Sequence, residues 1–349
     1  MSLLEDTLAL VRVDSVSGRE GELAGLVHSR LRGAPHLDVE RVGDNVVAST
    51  RGHHARRVII AGHIDTVPGD ARAGTIDGDR VVGLGACDMK GSVAIMLDEA
   101  VRDVKRSLEV TWIFYAREEI ARSQSGLLEL AQLRPDLLVA DAALLAEPTG
   151  GVVEAGCQGT LRVVVTVTGA RAHTARPFTG RNAIHRLAPL LSRIANYEPR
   201  EAVIDGILYT EQLQVVRVEG GVANNVVPDE ARITLNHRIA PDRGLDDAAT
   251  SIRDLLADLI EPGDQFEIGD YAPPAAPSLD NPFIARLVDI SGVRPRAKVG
   301  WTDVATFAER GVPAANFGAG DPLLAHRSDE FVTLEELGEF QRVLRLTLE

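Results

Sequence analysis

Acidic and histidine side chains stand at the ends of several apolar runs that have the composition of β-strands. The set comprises His63 and Asp65 in VIIAGHIDTVP, Asp88 in GLGACDMKG, Glu118 and Glu119 in VTWIFYAREE, Glu147 in AALLAEPT and His326 in LLAHRSDE. Open α/β sheets bind ligands beyond the carboxyl ends of their strands, so these side chains are expected to converge. Imidazoles and carboxylates without thiolates are ligands for zinc or a neighbouring divalent metal. Because one catalytic zinc needs fewer ligands, the set predicts two metals that share a carboxylate.

The His63-Ile64-Asp65 triplet is the strongest local signal. On an extended segment, residues i and i+2 point the same way. Asp65 is therefore placed to accept a hydrogen bond from the second imidazole nitrogen, which would fix the tautomer and raise the basicity of a metal-binding histidine. The alternative is a structural His–Asp pair at a strand end, and the triplet alone does not decide between them.

Glu118 and Glu119 adjoin at the end of an apolar strand. Neighbouring residues on a strand face opposite ways, so one glutamate can bind metal while the other acts as a general base toward an activated water. The alternative for such a pair is a solvated acidic loop.

Asp88 lies in a glycine-rich turn before a predicted helix, where a carboxylate suits a bridging ligand. Gly83-Leu84-Gly85 also suggests a nucleotide site. That signal is weak, because the spacing is not G-x-G-x-x-G and Lys90-Gly91 does not complete a P-loop.

The composition is that of an ordinary globular protein with room for two domains: 349 residues, 45% hydrophobic and 25% charged. A net charge of −14 and the lack of a basic run argue against nucleic-acid binding. No apolar stretch approaches the roughly 18 residues of a membrane span. The acidic N-terminal stretch differs from a signal peptide, so the cytoplasm is the expected location. Two cysteines are too few for a disulfide scaffold.

The elements that must position these side chains alternate between strands and helices in the first part of the chain. Such alternation predicts an α/β fold with a doubly wound, mostly parallel sheet and helices on both faces. The predicted strands are 57–61, 109–116 and 142–146, and the predicted helices are one capped by Ser2, 19–32, 89–104 and 122–133.

From about Thr160 the strands become longer and alternate between polar and apolar residues, as in LRVVVTVTG, ILYTEQLQVVRVEGG and DEARITLNHRIAP. Helices over 181–196 and 243–260 separate them, which predicts a ferredoxin-like βαββαβ domain. The proline-rich 271–278 is typical of a linker, and an α/β pattern with a last helix over 333–348 follows. We therefore predict a discontinuous metal-binding catalytic domain, 1–159 and 271–349, with 160–270 inserted.

Taken together, these motifs resemble the dinuclear-zinc deacylases, aminoacylases and carboxypeptidases of the metallopeptidases. The matching motifs are GHIDTVP, GxGxxDMKG, the strand-terminal EE, EPT, AHTARP, NVVPDEARI and AHRSDE, and they cover nearly the whole chain in the order found in that family. The resemblance implies a zinc-peptidase-like α/β domain with an inserted domain that serves as lid and dimerisation surface.

The resemblance also implies roles for the strand-end residues. His63 and Glu147 would hold one zinc, Glu119 and His326 would hold the other, Asp88 would bridge them, Asp65 would orient His63, and Glu118 would be the general base. The Asp88–Met89 peptide is expected to be cis. Two Zn²⁺ ions per subunit are the expected cofactors, with Co²⁺ or Mn²⁺ as substitutes.

The substrate implied by the resemblance is a small N-acyl amino acid, bound by a homodimer. The residues expected to reach it are His173, a catalytic residue in the lid, and Arg176, Asn224, Asn225, Arg238, Trp301 and Thr302, some of them acting on the partner's site. EAGCQGTLRVVV and the segment 297–322 are most similar to the family members that remove succinate from N-succinyl-L,L-2,6-diaminopimelate.

Two departures fall on the substrate-binding positions: Trp301-Thr302-Asp303-Val304 where many such members have Thr-Ser-Asp-Gly, and Cys157 where a basic residue is frequent. An acetylornithine deacetylase, an aminoacylase and a dipeptidase therefore stay open as alternatives.

Overall fold

The computed structural model describes residues 2–52, 55–69 and 74–349. The chain divides into two compact units, and the second interrupts the first in sequence. The first comprises Met1–Gly156, Pro277–Arg296 and Thr302–Glu349, and the second Cys157–Ala276 and Ala297–Trp301.

In chain order, the helices are α1 (Leu3–Val11), α2 (Gly21–Arg32), α3 (Gly91–Val101), α4 (Gly126–Leu133), α5 (Ala183–Ala195), α6 (Leu245–Leu256), α7 (Pro282–Ser291), α8 (Val304–Ala308) and α9 (Leu334–Leu348). The strands are β1 (Leu37–Val42), β2 (Asn45–Thr50), β3 (Arg57–His63), β4 (Thr75–Asp77), β5 (Arg80–Val82), β6 (Glu109–Tyr115), β7 (Ala142–Leu145), β8 (Glu154–Ala155), β9 (Gly159–Thr168), β10 (Ala172–His173), β11 (Glu201–Ile204), β12 (Ile207–Thr210), β13 (Gln212–Gly220), β14 (Val226–Val227), β15 (Glu230–Ile239), β16 (Gln265–Ala272), β17 (Arg296–Ala297), β18 (Ala314–Asn316) and β19 (Phe331–Thr333).

The large sheet of the first unit has the strand order β1-β2-β6-β3-β7-β18-β8-β17. Its centre is parallel, through the pairs β6–β3, β3–β7 and β7–β18, and its β1–β2–β6 edge is antiparallel. The predicted mostly parallel sheet is confirmed. Because β3, β6 and β7 run the same way, the residues that end or follow them emerge at one edge of the sheet.

The two faces of this sheet are covered by different helices, as predicted. Alternate strand residues such as Val58, Ile60 and Trp112 belong to one buried cluster with apolar residues of α1, α2, α3, α7 and α9. Their neighbours Ile59 and Ile113 are equally buried but lie outside that cluster, because successive side chains of a strand point to opposite faces. On this other side α8 contacts β7 and β18.

Helix caps account for both a confirmed helix start and a wrong one. The predicted Ser2 capping box at α1 is confirmed, since the Ser2 hydroxyl accepts from the Glu5 amide and the Glu5 carboxylate accepts from the Ser2 amide. The predicted helix over 122–133 is wrong in its first turn, where Arg122–Gln124 forms a separate 3₁₀ turn. The Ser125 hydroxyl accepts from the Leu127 amide and so begins α4, the position that serine favours.

The second unit contains an antiparallel sheet of order β13-β15-β9-β16. Helix α5 contacts its strands β9, β13 and β15, and α6 contacts β9 and β16. The order of these elements along the chain gives the predicted βαββαβ pattern.

The predicted strand ILYTEQLQVVRVEGG is wrong as a single element, because it is divided into β12 and β13 at Glu211. That buried carboxylate accepts from the Ala240 amide at 2.9 Å and from Arg243 Nε at 2.8 Å. Glu211 makes these tertiary contacts at the point where the chain leaves the β11–β12 hairpin and enters the β13–β15 ladder.

None of the helices in the described ranges is long and apolar enough to cross a membrane. The cytoplasmic location stays a prediction.

Candidate metal centre

Three of the predicted ligands meet at the carboxyl edge of the parallel strands. His63 ends β3, Asp88 lies in the turn before α3, and Glu119 follows β6. One nitrogen or oxygen from each of these side chains lies within 4.8 Å of the others. The strand-end positions therefore do converge, as the parallel sheet requires.

Asp88 lies between two histidines. Its Oδ1 is 3.0 Å from His63 Nε2, and its Oδ2 is 3.6 Å from Nε2 of His326. Glu119 Oε2 lies 3.0 Å from the same His326 nitrogen. A carboxylate whose two oxygens face two different imidazoles has the arrangement expected of a ligand shared by two metals.

The second nitrogen of His63 fixes its orientation. Nδ1 lies 3.1 Å from the Asp65 carbonyl oxygen and 3.6 Å from the Asp65 carboxylate. With Nδ1–H donating to Asp65, the lone pair of Nε2 points toward Asp88, which is the arrangement of a metal-binding imidazole. The carbonyl makes the shorter contact, although the sequence had suggested the carboxylate alone.

The electrostatics of this cluster favour a cation. Burial lowers the pKa of His63, but its hydrogen bonds to Asp65 and Asp88 and the charge of Glu147 outweigh burial and raise the pKa well above its ordinary value. The raised pKa favours a proton on Nε2 of His63, where this nitrogen faces the Asp88 carboxylate. A divalent metal can take the place of that proton. The donor chemistry of two imidazoles and three carboxylates fits zinc.

Glu118 and Glu147 are the two remaining predicted acidic residues at the carboxyl edge of the parallel strands. Glu147 is buried two residues after β7, whereas Glu118 is half-buried and is not among the three mutually close donors. The loss of contact with water, followed by the charge of Glu147, raises the pKa of Glu118 well above its ordinary value. A carboxylate of raised pKa beside a ligand cluster suits a group that takes up a proton, and the base role of Glu118 stays a prediction.

His326 is the open side of the cluster. It lies in a loop after a 3₁₀ turn, Pro322–Leu324, and has a left-handed backbone with φ of +67°. Its side chain keeps 54% of its surface exposed, whereas His63 is buried. A molecule from solvent can therefore reach the cluster from the His326 side.

Glu330 is a residue that the sequence did not single out. Its buried carboxylate accepts from the amides of Cys87 and Asp88 at 3.3 and 3.4 Å. Burial, and then the charge of Asp88, raise its pKa to about 7. It therefore ties the His326 loop to the turn that carries Asp88, whose peptide bond to Met89 is cis as predicted. In the sequence, the one indication for Glu330 is that it lies four residues after His326, a predicted ligand.

Tyr115, which the sequence did not single out, and Asp303, which it named only as part of the segment 301–304, interact with members of this cluster. The ring of Tyr115 meets His63 edge-to-face, with centroids 6.3 Å apart. Asp303 is buried, accepts from the Thr306 hydroxyl at 2.6 Å, and its charge contributes to the raised pKa values of Tyr115 and Glu118. Tyr115 is the last residue of β6, three residues before Glu118. This position is the one indication of Tyr115 in the sequence.

The predicted substrate residues Trp301 and Thr302 use their polar atoms within their own units. Trp301 Nε1 donates to the Pro273 carbonyl at 3.1 Å, and the buried Thr302 hydroxyl donates to Asn316 Oδ1 at 3.1 Å. These contacts give Thr302 a structural role, and its predicted contact with substrate gains no support from them.

The second unit brings several predicted lid residues into one corner. His173 pairs with Val226 across the short β10–β14 ladder, and the Thr174 amide donates to the Asn225 carbonyl at 3.1 Å. The side chains of His173, Arg176, Asn224 and Asn225 are exposed. Their predicted roles in substrate binding stay predictions.

Arg238 differs from Arg232, the other arginine of β15. It is half-buried in the strand ladder between Thr160 and Gln212, and burial lowers the pKa of its guanidinium. In the described part of the chain no carboxylate pairs with it, whereas Arg232 on the same strand pairs with Glu230. A half-buried guanidinium of this kind is suited to binding an anionic ligand.

Comparisons with known proteins show which family this chain resembles. Residues 59–349 match the family model described as Peptidase family M20/M25/M40. A Mycobacterium tuberculosis protein provisionally named succinyl-diaminopimelate desuccinylase DapE is 44% identical over 347 residues, 98% of this chain and 96% of its own. The Corynebacterium glutamicum succinyl-diaminopimelate desuccinylase is 41% identical, with 97% and 94% covered. Among solved structures, Bacillus subtilis YXEP, described as a dinuclear metal binding peptidase from the M20 family, superposes with a TM-score of 0.75 at 17% identity, covering 99% and 96%.

Proposed function

This chain belongs to peptidase family M20/M25/M40, and on that premise we propose that it is a zinc-dependent amide hydrolase. Its proposed substrate is N-succinyl-L,L-2,6-diaminopimelate, which it would cleave to succinate and L,L-diaminopimelate, a precursor of lysine and of the cell wall. The observation that carries the proposal is the position of Asp88 between His63 and His326, with Glu118 half-buried nearby. The names of the two relatives that are 44% and 41% identical support the choice of substrate.

Two zinc ions would be held by five side chains. His63 and Glu147 would hold one, Glu119 and His326 the other, and Asp88 would be shared. When bound, the ions polarise the amide carbonyl and lower the pKa of a water molecule. Co²⁺ and Mn²⁺ have compatible chemistry with the same nitrogen and oxygen donors. The likeness in fold to the Bacillus subtilis protein, which is described as a dinuclear metal binding peptidase, supports the number of ions.

The proton transfers fall to Glu118. Its carboxylate, with its raised pKa, would take the proton from the attacking water and return it to the nitrogen of the leaving amine. A single group can serve both steps because it is basic before attack and acidic after it. Asp65 would keep the imidazole of His63 in the tautomer that leaves Nε2 free.

Arg238 is our proposed contact for the succinyl carboxylate. The protein carries a net charge of −14, so an anionic acyl group needs local positive charge, and the half-buried guanidinium of Arg238 supplies it. Arginine binds a carboxylate through two parallel hydrogen bonds that lysine cannot reproduce. Arg238→Lys should therefore lower kcat/KM for the succinyl substrate by the equivalent of about 1–3 kcal/mol, and much less for an acetyl analogue, as measured by steady-state kinetics on both compounds.

Arg232→Lys is the matched control, because Arg232 lies on the same strand but is exposed and paired with Glu230. It should leave both substrates unaffected. Equal losses on the succinyl and acetyl substrates for Arg238→Lys would show that Arg238 does not bind the acyl carboxylate.

We also propose that the protein acts as a homodimer through the second unit, with His173 stabilising the oxyanion of the reaction in the partner's site. The exposed strand β13 supports an interface there, since Val216 and Val218 are both more than half exposed on it. Mixing inactive His173→Ala with inactive Glu118→Gln should restore activity in hybrid dimers that contain one intact site. If subunits exchange and activity does not return, His173 does not act across subunits.

A substrate panel tests the proposed function. Purified protein would be assayed with N-succinyl-L,L-diaminopimelate, N-acetylornithine, other N-acyl amino acids and dipeptides, with and without added Zn²⁺. The succinyl compound should be hydrolysed with the highest kcat/KM. A higher kcat/KM for the acetyl compound or for a dipeptide would assign the same site to a deacetylase, aminoacylase or dipeptidase.

A further inference from the structure

We propose that Glu20 is a positioning residue for the reaction: its buried carboxylate holds the backbone turn from which Glu118 and Glu119 project. The inference rests on the proposed metal-dependent hydrolysis. It adds to that function a residue of the N-terminal segment, which carries none of the predicted ligands.

Three consecutive amides lead into the glutamate pair, and two buried carboxylates accept from all of them. Oε1 of Glu20 accepts from the Arg117 amide at 3.1 Å. Oδ1 of Asp65 accepts from the Glu118 amide at 3.0 Å, and its Oδ2 accepts from the Glu119 amide at 3.1 Å. Glu20 and Asp65 therefore divide one row of backbone donors between them.

The conformation of the turn explains why it needs carboxylates. Arg117 has a φ of +61°, a left-handed conformation that is uncommon for a residue with a side chain and must be imposed by its surroundings. Successive amides around such a residue point into one concavity, which attracts an anion. The side chain of Arg117 is engaged elsewhere, since its Nε donates to the Gln124 carbonyl at 2.7 Å. The Glu20 carboxylate is thus the group that meets the backbone of this residue.

The side chain of Glu20 does not cap the helix that follows it. It is the residue before α2, yet its side chain makes no capping hydrogen bond to that helix. Its Oε1 accepts from the Gly18 amide at 2.9 Å as well as from Arg117, and the whole side chain is buried. A buried carboxylate is costly unless hydrogen bonds offset the loss of water, and Oε2 has no hydrogen-bond partner among the described residues. The amides of Gly18 and Arg117 on Oε1 are therefore the contacts that hold this carboxylate in place.

The neighbouring Ser17 strengthens the assignment. Its hydroxyl donates to Asp65 Oδ2 at 2.7 Å, and its amide donates to the Thr66 carbonyl at 3.2 Å. The segment 17–20 therefore contacts both carboxylates that hold the turn. Groups that orient metal ligands in this indirect way typically change metal affinity or activity about 10–100-fold when they are removed.

Glu20→Ala, Glu20→Gln and the control Glu22→Ala test the proposal, since Glu22 lies exposed on the adjoining helix α2. Glu20→Ala should lower kcat about 10–100-fold with little change in KM. It should also weaken the binding of one of two zinc ions in a calorimetric titration of the metal-free protein with Zn²⁺. Glu20→Gln keeps an oxygen that can accept from the Arg117 amide and should recover most of both losses. Glu22→Ala should match the unmodified protein.

An unchanged kcat and unchanged zinc affinities in Glu20→Ala would overturn the proposal, and so would a variant whose only change is a lower unfolding temperature. Equal impairment of the glutamine and alanine variants would also overturn it, because the retained oxygen would then be without effect. If the unmodified protein hydrolyses none of the panel substrates, the proposed function fails, while the zinc titration still decides the role of Glu20.

Discussion

Replacing Glu118 by glutamine should lower kcat by about 10²–10⁴ or more, because one carboxylate is assigned both proton transfers of the reaction. Glutamine has nearly the same size but cannot take up a proton. Glu118 is assigned the base role and binds neither metal in the proposed mechanism, so the zinc content of the variant should stay at that of the unmodified protein. Steady-state kinetics and elemental analysis of the same preparations measure the two quantities.

Glu119→Gln provides the contrast, because Glu119 Oε2 lies 3.0 Å from His326 Nε2 and is assigned to one of the metals. This variant should lose zinc. If Glu118→Gln loses zinc as readily as Glu119→Gln, or if Glu119→Gln keeps its zinc, the two glutamates have the opposite roles.

Removing the metals should abolish hydrolysis altogether. Without them the His63–Asp88 contact at 3.0 Å is satisfied by a proton on the imidazole, and no other group of the cluster can polarise the substrate carbonyl. The protein would be treated with a chelator, separated from it, and assayed before and after addition of Zn²⁺, Co²⁺ or Mn²⁺. Activity should be absent from the chelated protein and should return with the metals.

A circular dichroism spectrum of the chelated protein serves as the control, since the fold should survive in a unit whose core is a large apolar cluster. Full activity in a preparation shown by elemental analysis to contain no metal would contradict the assignment.

Much of the cluster could be predicted from the sequence because of one property of parallel sheets. The strands β3, β6 and β7 are short and buried on both faces, so they read as continuous apolar runs. Polar residues directly after them are conspicuous, and the parallel arrangement brings His63, Glu119 and Glu147 to one edge. The strand ends explain why these three residues stand out, whereas Asp88 and His326 lie outside the strands, and the role of each ligand was implied by the resemblance of the motifs.

The residues that hold this cluster could not be predicted in the same way. Glu20 and Glu330 each accept hydrogen bonds from backbone amides distant in sequence, at Arg117 and at Asp88. Their contacts depend on the paths of loops, which strand and helix periodicity does not determine. Before the fold is known, a buried glutamate in such a loop has the same sequence appearance as an exposed one like Glu22.

The division of the predicted strand 207–221 has a similar cause. Local composition favours one long strand, but the tertiary contacts of Glu211 with Ala240 and Arg243 break it. Propensity describes a segment by itself, and a buried charge that needs partners overrides it.

The most direct test of the proposed mechanism is the position of the metals in crystals of the zinc-loaded protein, located by anomalous scattering at the zinc edge. We predict two ions about 3.5–4 Å apart, bridged by the two oxygens of Asp88, with His63 and Glu147 on one ion, Glu119 and His326 on the other, and Glu118 on neither. A single ion, or a pair in which Glu118 is a ligand and Asp88 is not shared, would contradict it.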